Sequence, residues 1–137
     1  MLFVTRERLH VDRIATAWAI RRFVDPAATF MFVPRTKDVD TIAGTPFDIR
    51  GADLSHQGER CTFEVLLQRH DLTDPALGQL GLIVRGADMP TEDAAPPESS
   101  GIRAVFDGLR DADLSDEDRL RIGSAFCDAL YAFCSGR

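Results

Sequence analysis

Residues 2–34 read LFVTRERLHVDRIATAWAIRRFVDPAATFMFVP, and this stretch decides the fold. Residues 2–6 are short, apolar and β-branched, as in a strand. Over residues 11–25 the apolar positions recur with a helical period, and Pro26 stops the helix. Residues 29–34 are again aromatic and β-branched, giving a second strand. Strand, helix and strand in that order permit a right-handed parallel crossover.

Working outward, a third short strand is expected over 46–49. Residues 50–60 form a polar, Gly-bearing loop that contains His56, and a helix follows from Cys61 or Thr62 to about His70. Asp74-Pro75 is an N-cap with proline at the first helical position, opening a helix towards Ala87. Residues 89–100 hold three prolines and three acids and read as an exposed loop. Ile102, Val105, Phe106 and Leu109 mark a short helix. Ser115 and Asp118 resemble a capping box for a last helix, expected to bury Ile122, Phe126, Ala129, Leu130 and Phe133. The expected fold is α+β and mostly helical, a small mixed sheet with a β-α-β start covered by about five helices. It forms one domain over residues 1–137.

The 137 residues carry a net charge of −6, with 45% hydrophobic and 28% charged residues, the composition of an ordinary globular domain. An acidic balance argues against nucleic-acid binding by this chain alone and against a membrane surface, since both need a concentrated positive field. No apolar run approaches a membrane span, and arginines follow the first apolar residues, the reverse of a signal peptide. Cys61, Cys127 and Cys134 are an odd set without CxxC spacing. Cys127 and Cys134 stand two helical turns apart, flanking the expected apolar stripe and too distant to pair, at ~10 Å. A reduced, cytoplasmic protein is expected. The glycine-rich, GxSxG and HExxH motifs of common enzymes are missing.

Charged residues on apolar helical faces mark the candidate site. Arg21 shares the stripe of Ile14 and Trp18, so its guanidinium needs an anion, either Asp25 one turn on or a bound oxyanion shared with Arg6 and Arg13. Asp88 shares the stripe of Leu77 and Val84 and needs an arginine or a metal. His56, Cys61 and Glu64 gather three donor types in nine residues. With Asp88 they would suit a divalent transition metal such as zinc, manganese or iron, although Glu64 could equally cap its helix and Cys61 be mere core. His10-Val-Asp12 resembles the HxD opening of DHH-type phosphoesterases, but the further Asp/His clusters of those enzymes are not recognisable, and it assigns no role.

Taken in order, Val4-Thr-Arg6, Asp12-Arg-Ile-Ala15, Trp18-Ala-Ile-Arg-Arg-Phe-Val-Asp25 and Phe30-Met-Phe-Val33 resemble the ChrB-type chromate-resistance family. So do Phe47-Asp48, His56-Gln-Gly, Cys61-Thr-Phe-Glu64, Ile83-Val-Arg-Gly-Ala-Asp88 and Asp128-Ala-Leu-Tyr131. The resemblance implies a stress-response role in bacterial chromate resistance, in the cytoplasm. In longer relatives this region is the C-terminal part. The N-terminal part linked to gene regulation is not in this chain, so DNA binding is not carried over. Chromate is a tetrahedral dianion, and forked arginine donors suit it. The favoured function is a module that binds or senses chromate or a related oxyanion; a metal-dependent redox or hydrolytic enzyme is the main alternative, and an accessory protein without its own ligand the second. A homodimer is compatible with each.

Overall fold

Strand β1 (Leu2–Arg6) forms the centre of a three-stranded sheet in the computed structural model, which describes residues 1–89 and 95–136. It is flanked by β2 (Thr29–Val33) and β3 (Thr45–Pro46). Both pairings are parallel, so the expected mixed sheet is parallel throughout. Phe3, Val4 and Thr5 are buried, as a central parallel strand requires. The third strand begins one residue earlier than expected and ends after two residues. Beyond it Phe47 still binds β1, donating from its N–H to Val4 O and accepting from Thr5 Oγ1.

Between β1 and β2 runs α1 (Val11–Ala19), followed by a π turn at Ile20–Val24 that closes with Asp25 N donating to Ile20 O. Helices α2 (Thr62–Arg69), α3 (Pro75–Asp88) and α5 (Asp116–Ser135) all pack against α1. That explains why α1 is buried on nearly every side. Asp74 caps α3 by accepting from Ala76 N, and Ser115 caps α5 by accepting from Asp118 N. Among the described residues no helix is long and apolar enough to cross a membrane.

Helix α4 (Glu98–Asp111) starts four residues before Ile102 and shortens the expected loop, part of which lies outside the described residues. Ser99 draws the start of α4 inward. Its buried hydroxyl donates to Ile83 O on α3, beside Gly86, where a Cβ would stand 2.5 Å from Ser99 Oγ.

The buried face of α5 also differs from expectation. Phe126 and Phe133 are 38% and 45% exposed, Ala129 is exposed, and Ile122 and Leu130 are half-buried. The inward residues are Leu120, Gly123, Cys127 and Cys134. The cause is close approach. A Cβ on Gly123 would lie 2.6 Å from Ile14 Cγ2 and 3.1 Å from Phe106 Cε1. Small residues therefore take the seam, and the phenylalanines are turned to its rim.

Gly123→Ala should therefore destabilise. Helix propensity would gain about 1 kcal/mol, but overpacking two fully buried neighbours costs about 1–3 kcal/mol. Gly108→Ala, on the open face of α4 with nothing within 4 Å, should stabilise by up to about 1 kcal/mol. Urea unfolding of both variants measures the contrast.

Candidate functional site

Asp12 lies in the first turn of α1 and is 1% exposed. Its carboxylate is aimed at the N-terminus of α2. Oδ1 accepts from Phe63 N and Oδ2 from Thr62 N, each at 2.9 Å. These amides have no partner within their own helix, and the helix end favours negative charge. Oδ2 keeps a second lone pair, which meets His56 Nε2 at 2.8 Å.

His56 is carried there by the loop after β3. Two further carboxylates approach the same ring nitrogen, Asp48 Oδ1 at 3.5 Å and Asp88 Oδ2 at 3.4 Å. Asp48 sits in the left-handed region at φ 49°, which an aspartate tolerates better than most residues. Thr62 Oγ1 donates to its Oδ1, while Arg13 donates to its main-chain carbonyl and lies 3.5 Å from Oδ2. Asp88 is the last residue of α3.

His10, at the N-cap of α1, faces Asp88 Oδ1 through Nδ1 at 3.8 Å and Asp107 Oδ1 through Nε2 at 2.7 Å. Its position is fixed from α5, where Asp116 accepts from Arg8 N and Leu9 N and is paired with the buried Arg119.

This crowding shifts protonation. Burial, and then the neighbouring Asp12 charge, push Asp48 up to about 7. The hydrogen bond to Asp12 is the main cause that raises His56 to about 9, against an opposing effect of burial. Near neutral pH the site is therefore an imidazolium ringed by carboxylates. Replacing that proton and the one held by Asp48 with a divalent cation keeps the charge balance. The ligand atoms of Asp12, Asp48 and His56 lie within 4.8 Å of one another, a span that one divalent ion can draw together.

Among the residues singled out from sequence, His56 and Asp88 meet here. Glu64 and Cys61 are engaged elsewhere. Glu64 Oε1 accepts from Cys61 N, caps α2 and pairs with Arg85 Nε at 3.1 Å. Cys61 is fully buried, its thiol held protonated chiefly by desolvation.

The three arginines are not brought together. Arg13 lies on Asp48, at the site. Arg6 donates to Pro34 O and Lys37 O, beyond the end of β2. Arg21 is exposed, donates to Ala28 O before β2 begins, and lies 4.9 Å over the Phe30 ring. At ~3.3 Å per residue the six steps from Ala28 to Pro34 separate these groups by about 20 Å. Arg21 leaves the expected stripe because its long stem carries the guanidinium to the rim, where it keeps its water. Its expected partner Asp25 pairs with the N-terminal amine instead. The first helix, the His56 loop and the end of α3 converge through Asp12 rather than Arg21.

Asp12, Asp48, His10 and Asp107 are site residues that sequence reasoning did not assign. His-x-Asp at a strand–helix junction was the available signal for two of them. Asp107 had none, being one of many charges on an exposed helix.

The family described as "ChrB, C-terminal domain" matches residues 3–134. The chain is 38% identical over 135 residues to Protein ChrB of Cupriavidus metallidurans, covering 97% of this chain and 40% of that protein. No solved structure matches it. The chain belongs to the ChrB C-terminal domain family.

The shifted groups set the pH dependence of stability. His56 binds its proton more tightly folded than unfolded, so its contribution is full below about 6.5 and is lost as pH rises through about 9. Asp48 also holds its proton more tightly when folded, and stability falls further between about 4 and 7. Tm measured by circular dichroism should drop across this whole range. Asp48→Asn should flatten the acid part and His56→Gln the alkaline part. A Tm that rises with pH over the range would contradict the arrangement.

Proposed function

We propose that this member of the ChrB C-terminal domain family serves in bacterial chromate resistance by binding a divalent transition-metal cation. Asp12, Asp48, His56 and Asp88 would be the ligands. The observation that carries the reading is the convergence of three carboxylates, from three separate chain segments, on one imidazole nitrogen. Mixed carboxylate and imidazole donors suit manganese, iron or zinc. Thr62 and the α2 amides fix the carboxylates from outside, as outer-shell groups do in metal sites. Membership of the family supports the link to chromate. The free, buried thiols of Cys61 and Cys127 suit a reducing compartment, and we place the protein in the cytoplasm.

An oxyanion fits this reading through the cation. A bound metal with open positions, next to Arg13, offers a dianion such as chromate two positive partners. Capture by Arg6, Arg13 and Arg21 alone is weaker physically, because their donors are spent on separate main-chain carbonyls and carboxylates crowd Arg13.

Chelator-treated protein should gain thermal stability from at least one of manganese, ferrous iron and zinc, by about 2.7 kcal/mol at a hundred times Kd. His56→Ala and Asp88→Asn should abolish the gain, and Cys61→Ala should leave it. Absence of any gain with all three ions would overturn the proposal. Titration with sulfate and chromate should detect binding to the loaded protein only.

A further inference from the structure

The ring of His10 is held between two carboxylates in an unequal way. Its Nε2 lies 2.7 Å from Asp107 Oδ1, a hydrogen bond that puts the ring hydrogen on Nε2. Its Nδ1 faces Asp88 Oδ1 at 3.8 Å, too far for a hydrogen bond. In the neutral ring this sets a nitrogen lone pair opposite a carboxylate oxygen, two acceptors with nothing to share. The separation suits two ligands of one cation, because bonds of about 2.1 Å place adjacent ligand atoms roughly 3–4 Å apart.

The surroundings fit that use. Asp107 stands behind His10 as the carboxylate that orients a ligating imidazole and fixes its tautomer. It is flanked by Arg103 at 3.7 Å and Arg110 at 3.6 Å. The His10 side chain makes no capping bond to α1, although it occupies the N-cap position. Asp88 presents Oδ2 to His56 and Oδ1 to His10, so one carboxylate addresses two imidazoles with its two oxygens. Neither histidine lies deep, at 17% and 36% side-chain exposure, and water could complete the coordination of an ion at each.

We propose that Asp88 bridges two divalent cations, the second bound by His10 Nδ1, with Asp107 positioning the His10 ring. This rests on the first site being a cation site. The second ion has two protein ligands and is the weaker of the pair. Two cations bridged in this way form a clamp for a tetrahedral oxyanion, which would lie across both.

Manganese titration of the full chain, by calorimetry and by electron paramagnetic resonance, tests the proposal. Wild type should take up about two equivalents, the second weaker, with a spin-coupled signal at saturation. His10→Ala and His10→Gln should keep the tight equivalent, lose the weak one and lose the coupling, with unchanged circular dichroism. Asp107→Asn should weaken the second equivalent by about 10–100-fold. A single equivalent in wild type would overturn the bridged pair while leaving the first site standing. Two equivalents retained in both His10 variants would overturn its assignment to His10. No uptake at all would remove both.

Discussion

The carboxylate of Asp12 is the constraint around which the domain is arranged. A charge with 1% exposure has lost its water and must be answered in full by the protein. Two amides at the start of α2 and the ring of His56 answer it. This ties the first turn of α1 to the start of α2 and brings the loop after β3 across both. Removing one partner from a buried charge typically costs about 3–5 kcal/mol. The same carboxylate thus specifies tertiary structure and creates the electrostatic field of the site. Asp12 shares α1 with Ile14 and Trp18, so the position of the charge is also set by the main hydrophobic core.

What was legible in the sequence was largely local. The β-α-β opening, the limits of α2, the Asp74 cap of α3 and the Ser115 cap of α5 follow from propensity, proline placement and capping chemistry, and the structure contains each. Features that depend on distant neighbours were not legible. The inward face of α5 is set by how closely it approaches Ile14 and Phe106 at Gly123, which no periodicity on α5 encodes. The start of α4 depends on a hydroxyl reaching Ile83 O on another helix.

The site divides along the same line. Asp88 could be singled out because a charge on an apolar stripe is anomalous within its own helix. Asp12 breaks no such local rule, since an acid in the first turn of a helix is ordinary. Its significance comes from α2, fifty residues on, and from His56. Arg21 shows the converse error. A long side chain on an apolar stripe does not bury its charge when its stem can reach the rim. Glu64 and Cys61 are also explained locally, by the cap that Glu64 gives α2. Stripe arguments therefore served best for the short aspartate, whose charge cannot leave the face that carries its Cα.

Charge balance separates a structural network from a binding site. Three carboxylates around His56 exceed what the imidazolium and Arg13 neutralise. The structure meets the excess by raising the proton affinity of Asp48, whose burial and proximity to Asp12 work against ionisation. A network serving stability alone gains nothing from a third carboxylate, because each buried ion carries a desolvation penalty and apolar replacements are often neutral or stabilising. The excess is useful when the occupant brings its own positive charge. A divalent cation would allow Asp48 to ionise, displace the His56 proton and offset the repulsion between Asp12, Asp48 and Asp88 together. On this argument the α2 amides and Thr62 hold together carboxylates whose mutual repulsion a bound cation would relieve.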